Sequence, residues 1–261
     1  MREDFRNKVA VVTGGASGIG EGVALLLASR GASIAILDKD SDKGERLAKT
    51  ITDNGQIASF HAADLSVWKN VVKAIEEVLH TYERVDILSC NAGIQRYGTV
   101  DTTTTEMWDE VMNANLKSVF HSCKACIPHL KKTRGAIVVM SSVQGFATQK
   151  NVLAYTTSKH ALIGFIRAMA LDMAEYGVRV NGVAPGSVNT PMLQNAVQSD
   201  PNPEKLWKVI EQMHPLGRIA QPVDIAEIVA FLAGPGAANV TGSTLIADGG
   251  LLLPISGSPA E

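Results

Sequence analysis

Along most of the chain, short continuous apolar runs alternate with segments whose apolar residues recur every three or four positions. Runs of the first kind suit buried strands, and segments of the second suit amphipathic helices. Residues 8–13 form the first run, and helical spacing begins at Ile19, Val23, Leu26 and Leu27. Residues 33–37 are the second run. A polar-faced helix over 42–54 then leads to a strand over 57–63 and a helix marked by Val67, Val71, Ile75, Val78 and Leu79. Residues 85–90 make a fourth strand, and a long helical region covers 104–130. The fifth strand is 136–140. A helix marked by Ala161, Leu162, Phe165, Ile166 and Met169 separates it from the sixth, 179–184. Pro222 opens one more helix, and residues 243–247 are a last strand before Asp248-Gly249-Gly250.

Strands and helices alternating at this period predict one α/β domain over residues 1–261, a right-handed, doubly wound parallel sheet with helices on both faces. Ligands of such sheets bind at the carboxyl ends of the strands, where Asp38, Asp64 and Asn91 converge. Residues of about 188–217 break the alternation with Pro191, Pro201, Pro203 and Pro215, and hold one helix-like stretch over 206–213. A long insert at the ligand edge reads as a lid, with Met192, Leu193, Trp207 and His214 as candidate pocket walls. The tail, 251–261, has no usable period.

Composition narrows the class. A chain 46% hydrophobic and 19% charged is an ordinary globular one, not a disordered one. Its net charge of -2 and lack of a dense Lys/Arg stripe remove the electrostatic basis for nucleic-acid binding. No apolar run reaches the ~20 residues of a membrane span, and Met1-Arg2-Glu3-Asp4-Phe5 is not a signal peptide. The expectation is a cytoplasmic protein acting on a small molecule. Cys123-Lys124-Ala125-Cys126 has the spacing of a redox or zinc pair, but it lies in a helical pattern with no second pair. Those thiols and Cys90 read as core, and no metal site is expected.

Candidate chemistry begins at Gly14-Gly15-Ala16-Ser17-Gly18-Ile19-Gly20, between a strand and a helix. Gly14 suits a tight turn, Gly18 a close approach of pyrophosphate, and Gly20 close packing of helix on strand. Asp38 ends the second strand 18 residues after Gly20, where a carboxylate binds ribose hydroxyls and repels a 2′-phosphate. This favours NAD over NADP, with Lys39 as the opposing feature. Tyr155 and Lys159 lie one helical turn apart. An ammonium ~5 Å from a phenolate at an effective dielectric of ~20 is worth about 3 kcal/mol, or about two units of pKa, so Tyr155 is expected to be acidified. Ser142, at the end of the fifth strand, is placed to bind a substrate oxygen. Asn115, on an apolar helix, is either a satisfied core amide or the holder of a water near a reaction centre.

Together these motifs resemble the short-chain dehydrogenase/reductase family over essentially the whole chain. The resemblance rests on Thr13 to Gly20, Asp64, Asn91-Ala92-Gly93, Asn115, Ser142, Tyr155 with Lys159, and Pro185-Gly186 followed by Thr190. It implies a Rossmann-type sheet of about seven strands, a nicotinamide cofactor, a homotetramer and a catalytic tetrad of Asn115, Ser142, Tyr155 and Lys159. It also implies that Ser17 and Ile19 meet the pyrophosphate, Asp64 and Leu65 the adenine, Asn91 with Gly93 the middle of the cofactor, and Val188 and Thr190 the carboxamide. Gln95, Arg96, Gln144, Gln149, Ser187 and Met192 lie near the expected reaction centre, as substrate contacts or as solvated loop residues. Their amides and guanidinium suit a sugar, sugar acid or hydroxy acid. Reduction of a 3-oxoacyl thioester is the alternative, and an NAD-sensing regulator without turnover is the alternative from another class.

Overall fold

The apolar runs line up side by side in one parallel sheet. The computed structural model describes residues 4–254, so Met1 to Glu3 and the last seven residues of the aperiodic tail lie outside it. The strands are β1 (Val9–Thr13), β2 (Ser33–Asp38), β3 (Ala58–Ala62), β4 (Ile87–Cys90), β5 (Ala136–Met140), β6 (Arg179–Pro185) and β7 (Thr244–Ala247). They are ordered β3-β2-β1-β4-β5-β6-β7, and each neighbouring pair is parallel. The helices are α1 (Gly18–Ser29), α2 (Ser41–Asp53), α3 (Trp68–Tyr82), α4 (Thr105–Met112), α5 (Ser118–Thr133), α6 (Leu153–Met173), α7 (Pro191–Gln198), α8 (Pro203–Gln212) and α9 (Pro222–Ala233).

Each strand is a continuous apolar run because both of its faces are covered. Successive side chains point to opposite faces. Val9, Val11, Leu37 and Leu88 therefore enter a core beneath α3, α5 and α6, whereas Ala10, Val12, Ile34 and Ile36 enter a second core beneath α1, α2 and α9. A fully buried Leu or Ile contributes about 1.5–3 kcal/mol, more than any cap or surface pair, so this pattern sets the fold.

Two elements differ from the sequence expectation. The helical region over 104–130 is interrupted by a π-helical turn, Asn113–Lys117, between α4 and α5. Asn115 causes a local demand there, since its amide is pinned to the backbone of Ile94. In the insert, α7 starts at Pro191 and α8 at Pro203, where a proline costs nothing because the first helical N–H has no partner. The helix-like stretch over 206–213 is the later part of α8. Among the described residues, no helix is long and apolar enough to cross a membrane. All three cysteines are free and buried, in agreement with their reading as core.

Candidate active site

The chain order reverses at β1, with β2 on one side and β4 on the other. The loop leaving β1 thus opens on the crevice between them. Gly14 has φ +60°, and a Cβ there would lie 2.6 Å from both N and Cα of Ala92. A Cβ on Gly20 would lie 2.1 Å from the Gly14 carbonyl oxygen. Side chains at either position would collide with backbone, which bears out the tight turn and the close helix-strand approach. Ser17 occupies the N-cap of α1 without capping it through its side chain. The first-turn amides, including those of Gly18, Ile19 and Gly20, therefore remain open to an anion. A Cβ on Gly18 would be 3.2 Å from Thr190 Cγ2, so the turn that follows Pro185 folds over this loop.

Asp38 stands at the end of β2 beside the loop. Its Oδ2 accepts from Ala16 N at 3.1 Å and its Oδ1 from Asp40 N at 3.1 Å, so both carboxylate oxygens are oriented by backbone. Lys39 is exposed, and its charge acts on Asp64, whose carboxyl is held below the usual range chiefly by hydrogen bonds from Ser66. Leu65 is buried beneath Asp64 and receives the His121 ring on its carbonyl oxygen, at 3.1 Å. The Asn91 amide donates to Thr13 O at 3.2 Å and Ser89 O at 3.1 Å, and its Oδ1 accepts from Ser89 Oγ at 3.2 Å. Its side chain therefore ties the ends of β1 and β4 together at the crevice. Val188 is buried and bridged to Ala220, and the Thr190 hydroxyl donates to Val188 O at 3.3 Å.

Ser142, Tyr155, Lys159 and Asn115 converge at the end of β5. Ser142 follows β5 and lies beside the Tyr155 phenol. Lys159, 4% exposed, donates to Met140 O at 2.9 Å, and its ammonium is 5.5 Å from the Tyr155 ring centroid. Burial pulls the Lys159 ammonium down to about 8. Burial also raises the Tyr155 phenol above its ordinary value; Ser142 opposes this, and the neighbouring Tyr97 phenol adds to it. The expected acidification is thus reversed in the protein without ligand, since desolvation of the phenolate dominates. Asn115 is fully buried: Oδ1 accepts from Ile94 N at 2.7 Å, and Nδ2 donates to Ile94 O at 2.9 Å and Ser158 Oγ at 3.0 Å. A Cβ on Gly93 would lie 3.2 Å from Asn115 Oδ1 and 3.7 Å from Lys159 Nζ, so the glycine leaves open a space that both polar atoms face.

The substrate candidates divide. Arg96 is withdrawn: Nε donates to Glu110 Oε2 at 2.9 Å and Nη2 to Oε1 at 2.6 Å, and Nη1 donates to Gln95 O at 3.0 Å. That fork is spent on a carboxylate. Gln149 is exposed on an outer cavity of about 440 Å³ lined also by Val100, Thr148 and Thr156. Met192 is exposed on α7. Ser187 N donates to His214 Nε2 at 3.2 Å, while the other ring nitrogen pairs with Ile210 O at 2.7 Å. His214 is buried and ties α8 to the end of β6, so its role is structural. Gln144 stays beside Ser142, with its N–H donating to Ser142 Oγ at 3.2 Å. Tyr97 was missed by sequence reasoning. Its place in the loop after Gly93, between strand end and helix, was the available signal.

A doubly wound parallel sheet with a glycine turn at its switch point, an acidic β2 terminus and a Ser-Tyr-Lys cluster on the same edge has the form of a dinucleotide-dependent oxidoreductase. The family profile described as Enoyl-(Acyl carrier protein) reductase matches residues 14–252. The aldohexose dehydrogenase of Thermoplasma acidophilum superposes with a TM-score of 0.91 at 34% identity, covering 100% of both chains. The cyclohexanol dehydrogenase of Acinetobacter sp. is 34% identical over 95% of this chain and 96% of its own length. A 3-oxoacyl-[acyl-carrier-protein] reductase of Chlamydia trachomatis is 35% identical over 94% of this chain and 97% of its own. The chain belongs to the short-chain dehydrogenase/reductase family of oxidoreductases.

Proposed function

We propose that this protein is an NAD-dependent oxidoreductase that interconverts a secondary alcohol and a ketone on a small polar substrate, such as a sugar, sugar acid or hydroxy acid. The observation that carries the reading is the convergence of Ser142 and the Tyr155 phenol at the end of β5, with the buried Lys159 ammonium 5.5 Å from the Tyr155 ring centroid. When bound, nicotinamide supplies the hydride acceptor or donor at its C4. In the oxidative direction, Ser142 fixes the substrate hydroxyl and Tyr155, as phenolate, takes its proton. Lys159 opposes the desolvation of that phenolate and binds the nicotinamide ribose. The space left by Gly93 suits a water that passes the proton on from Lys159 past Asn115. Ser17, Gly18, Ile19 and Gly20 hold the pyrophosphate on open amides, and Val188 and Thr190 hold the carboxamide.

The preference for NAD rests on Asp38. A negative charge ~4 Å from a 2′-phosphate costs about 4 kcal/mol at an effective dielectric of ~20, whereas an exposed cation such as Lys39 returns at most about 1 kcal/mol. A panel of alcohols, sugars and hydroxy acids, followed at the absorbance of reduced nicotinamide with NAD and NADP, tests both halves. Turnover is expected with NAD, and Asp38→Ala should weaken NAD and raise relative use of NADP. An unchanged coenzyme preference in Asp38→Ala would contradict the role of the carboxylate. An acetoacetyl thioester belongs in the same panel, because the matched profile and one relative are named as acyl-carrier-protein reductases. Preferential reduction of it with NADPH would favour that second reading. We also propose a homotetramer in a cytoplasmic setting, with the three free thiols and an uncovered face on α6 as support.

A further inference from the structure

We propose that Ser59, His61 and Glu77 form a second nucleophilic site, in which Ser59 takes an acyl group from an activated short-chain ester. β3 is an edge strand of the sheet, four strand spacings or roughly 19 Å from β5 and the Ser142 cluster. The proposal therefore stands apart from the alcohol-ketone reading.

Ser59 and His61 are two residues apart on β3, so their side chains share one face. Phe60, between them, points to the other face and packs on Gly44 of α2. Ser59 Oγ lies 2.8 Å from His61 Nε2, and His61 Nδ1 lies 3.1 Å from Oε2 of Glu77 on α3. A carboxylate offers only acceptors, so the ring proton on Nδ1 faces Glu77 and Nε2 accepts from the Ser59 hydroxyl. His61 is buried, which fixes the ring between its two partners. Tyr82, also on α3, donates its hydroxyl to Ser59 Oγ at 2.9 Å. Burial raises the Tyr82 phenol above its ordinary value, so the phenol stays a donor. The other Glu77 oxygen is 3.8 Å from Lys73 Nζ, a second partner that orients the carboxylate. Hydroxyl, imidazole and carboxylate in this order make up the relay of an activated serine.

The serine is reachable. Ser59 is half-buried, and no strand lies on the outer side of β3. Ile34 N donates to Ile57 O and Ala63 N to Asp38 O, so the odd-numbered positions of β3 bond to β2. The Phe60 N–H, next after the nucleophile, therefore points to the open edge. That amide and the Tyr82 hydroxyl are the donors available to an oxyanion formed on Ser59.

In the proposed step, Ser59 Oγ adds to the ester carbonyl carbon while its proton passes to His61 Nε2. The bond from that carbon to the leaving oxygen then breaks, and the leaving group takes the proton from His61. Acyl-Ser59 and an alcohol or phenol result. Water, deprotonated by the same nitrogen, adds to the acyl carbon, releases the carboxylic acid and restores the serine.

The probe is p-nitrophenyl acetate, followed by release of p-nitrophenolate and by peptide mass mapping after an acid quench. The wild type is expected to release p-nitrophenolate faster than buffer and to carry the acetyl group on Ser59. Ser59→Ala should remove both signals. His61→Gln should slow acylation by about 10²-fold or more, the usual cost of losing a general base. Glu77 is a positioning residue: Glu77→Gln should lower the acylation rate constant by about tenfold or more, with the half-saturating ester concentration unchanged. Because Glu77 is 48% exposed, the thermal midpoint of that variant should stay near wild type, and it carries the test should Ser59→Ala or His61→Gln not fold. Acetyl groups confined to lysines or other hydroxyls would overturn the proposal. So would release by Ser59→Ala or Glu77→Gln at the wild-type rate.

Discussion

Burial acts on Tyr155 and Lys159 in opposite senses, raising the phenol and lowering the ammonium, and each shift disfavours the charged form. For Lys159 the consequence for stability has a definite sign. Its folded-state value of about 8 lies below the ordinary 10.5, so between these values the unfolded chain binds more protons and stability rises with pH. Below about pH 8 both states are protonated and the burial cost is present in full, about 3 kcal/mol. Lys159→Met should therefore stabilise the ligand-free protein at pH 7 by roughly 1–3 kcal/mol and remove the alkaline rise, while turnover falls. A thermal midpoint below that of the wild type would contradict this. The same scale explains what the sequence concealed. Tyr155 and Lys159 were legible because four residues on a helix fix two side chains to one face. Arg96 and Asn91 were not, since their partners Glu110 and Thr13 are chosen by tertiary contacts that spacing does not encode. The pKa of Tyr155 was misjudged because a pair estimate omits desolvation.

Among the elements, strands and their order of appearance were legible because burial on both faces produces uninterrupted apolar runs. The π-helical turn was not legible, because it depends on Asn115 reaching the Ile94 backbone, 21 residues away. α7 escaped because a short helix in a proline-rich insert has too little period to register. On α6, Gly164 and Ala168 are exposed, nothing lies within 4 Å of a Cβ on Gly164, and Leu171 is 80% exposed. A small-residue face of this kind permits close approach of a second helix. Cys123 on α5 is buried and faces Cys90 within the chain, so it forms no part of such a face. For the proposed homotetramer, light scattering should give four times the 27.7 kDa chain mass, and Ala168→Glu should reduce it. A wild-type monomer would contradict the proposal.

For the whole molecule, the reversal of strand order at β1 is what gathers residues distant in sequence. Gly14, Asp38, Asn91, Ser142 and Pro185 meet on one edge because five parallel strands end there in register. Alternation of strand and helix was sufficient to anticipate that edge, whereas the seven-strand count came with the family resemblance. The edge and the positions of Ser142, Tyr155 and Lys159 follow from the fold; the substrate does not, because loop side chains such as Arg96 are placed by tertiary contacts, here with Glu110, that spacing does not encode. In the proposed mechanism Tyr155 carries the proton. Because the base form of a phenol is populated above its pKa, oxidation should accelerate as pH rises and reduction should slow. The most direct measurement compares kcat/KM for oxidation of one accepted alcohol by wild type and Tyr155→Phe across that pH range, alongside the NAD dissociation constant. Tyr155→Phe should lose at least about 10²-fold, lack the alkaline rise and bind NAD with nearly unchanged affinity. Turnover by Tyr155→Phe close to that of the wild type, with the same pH profile, would contradict it.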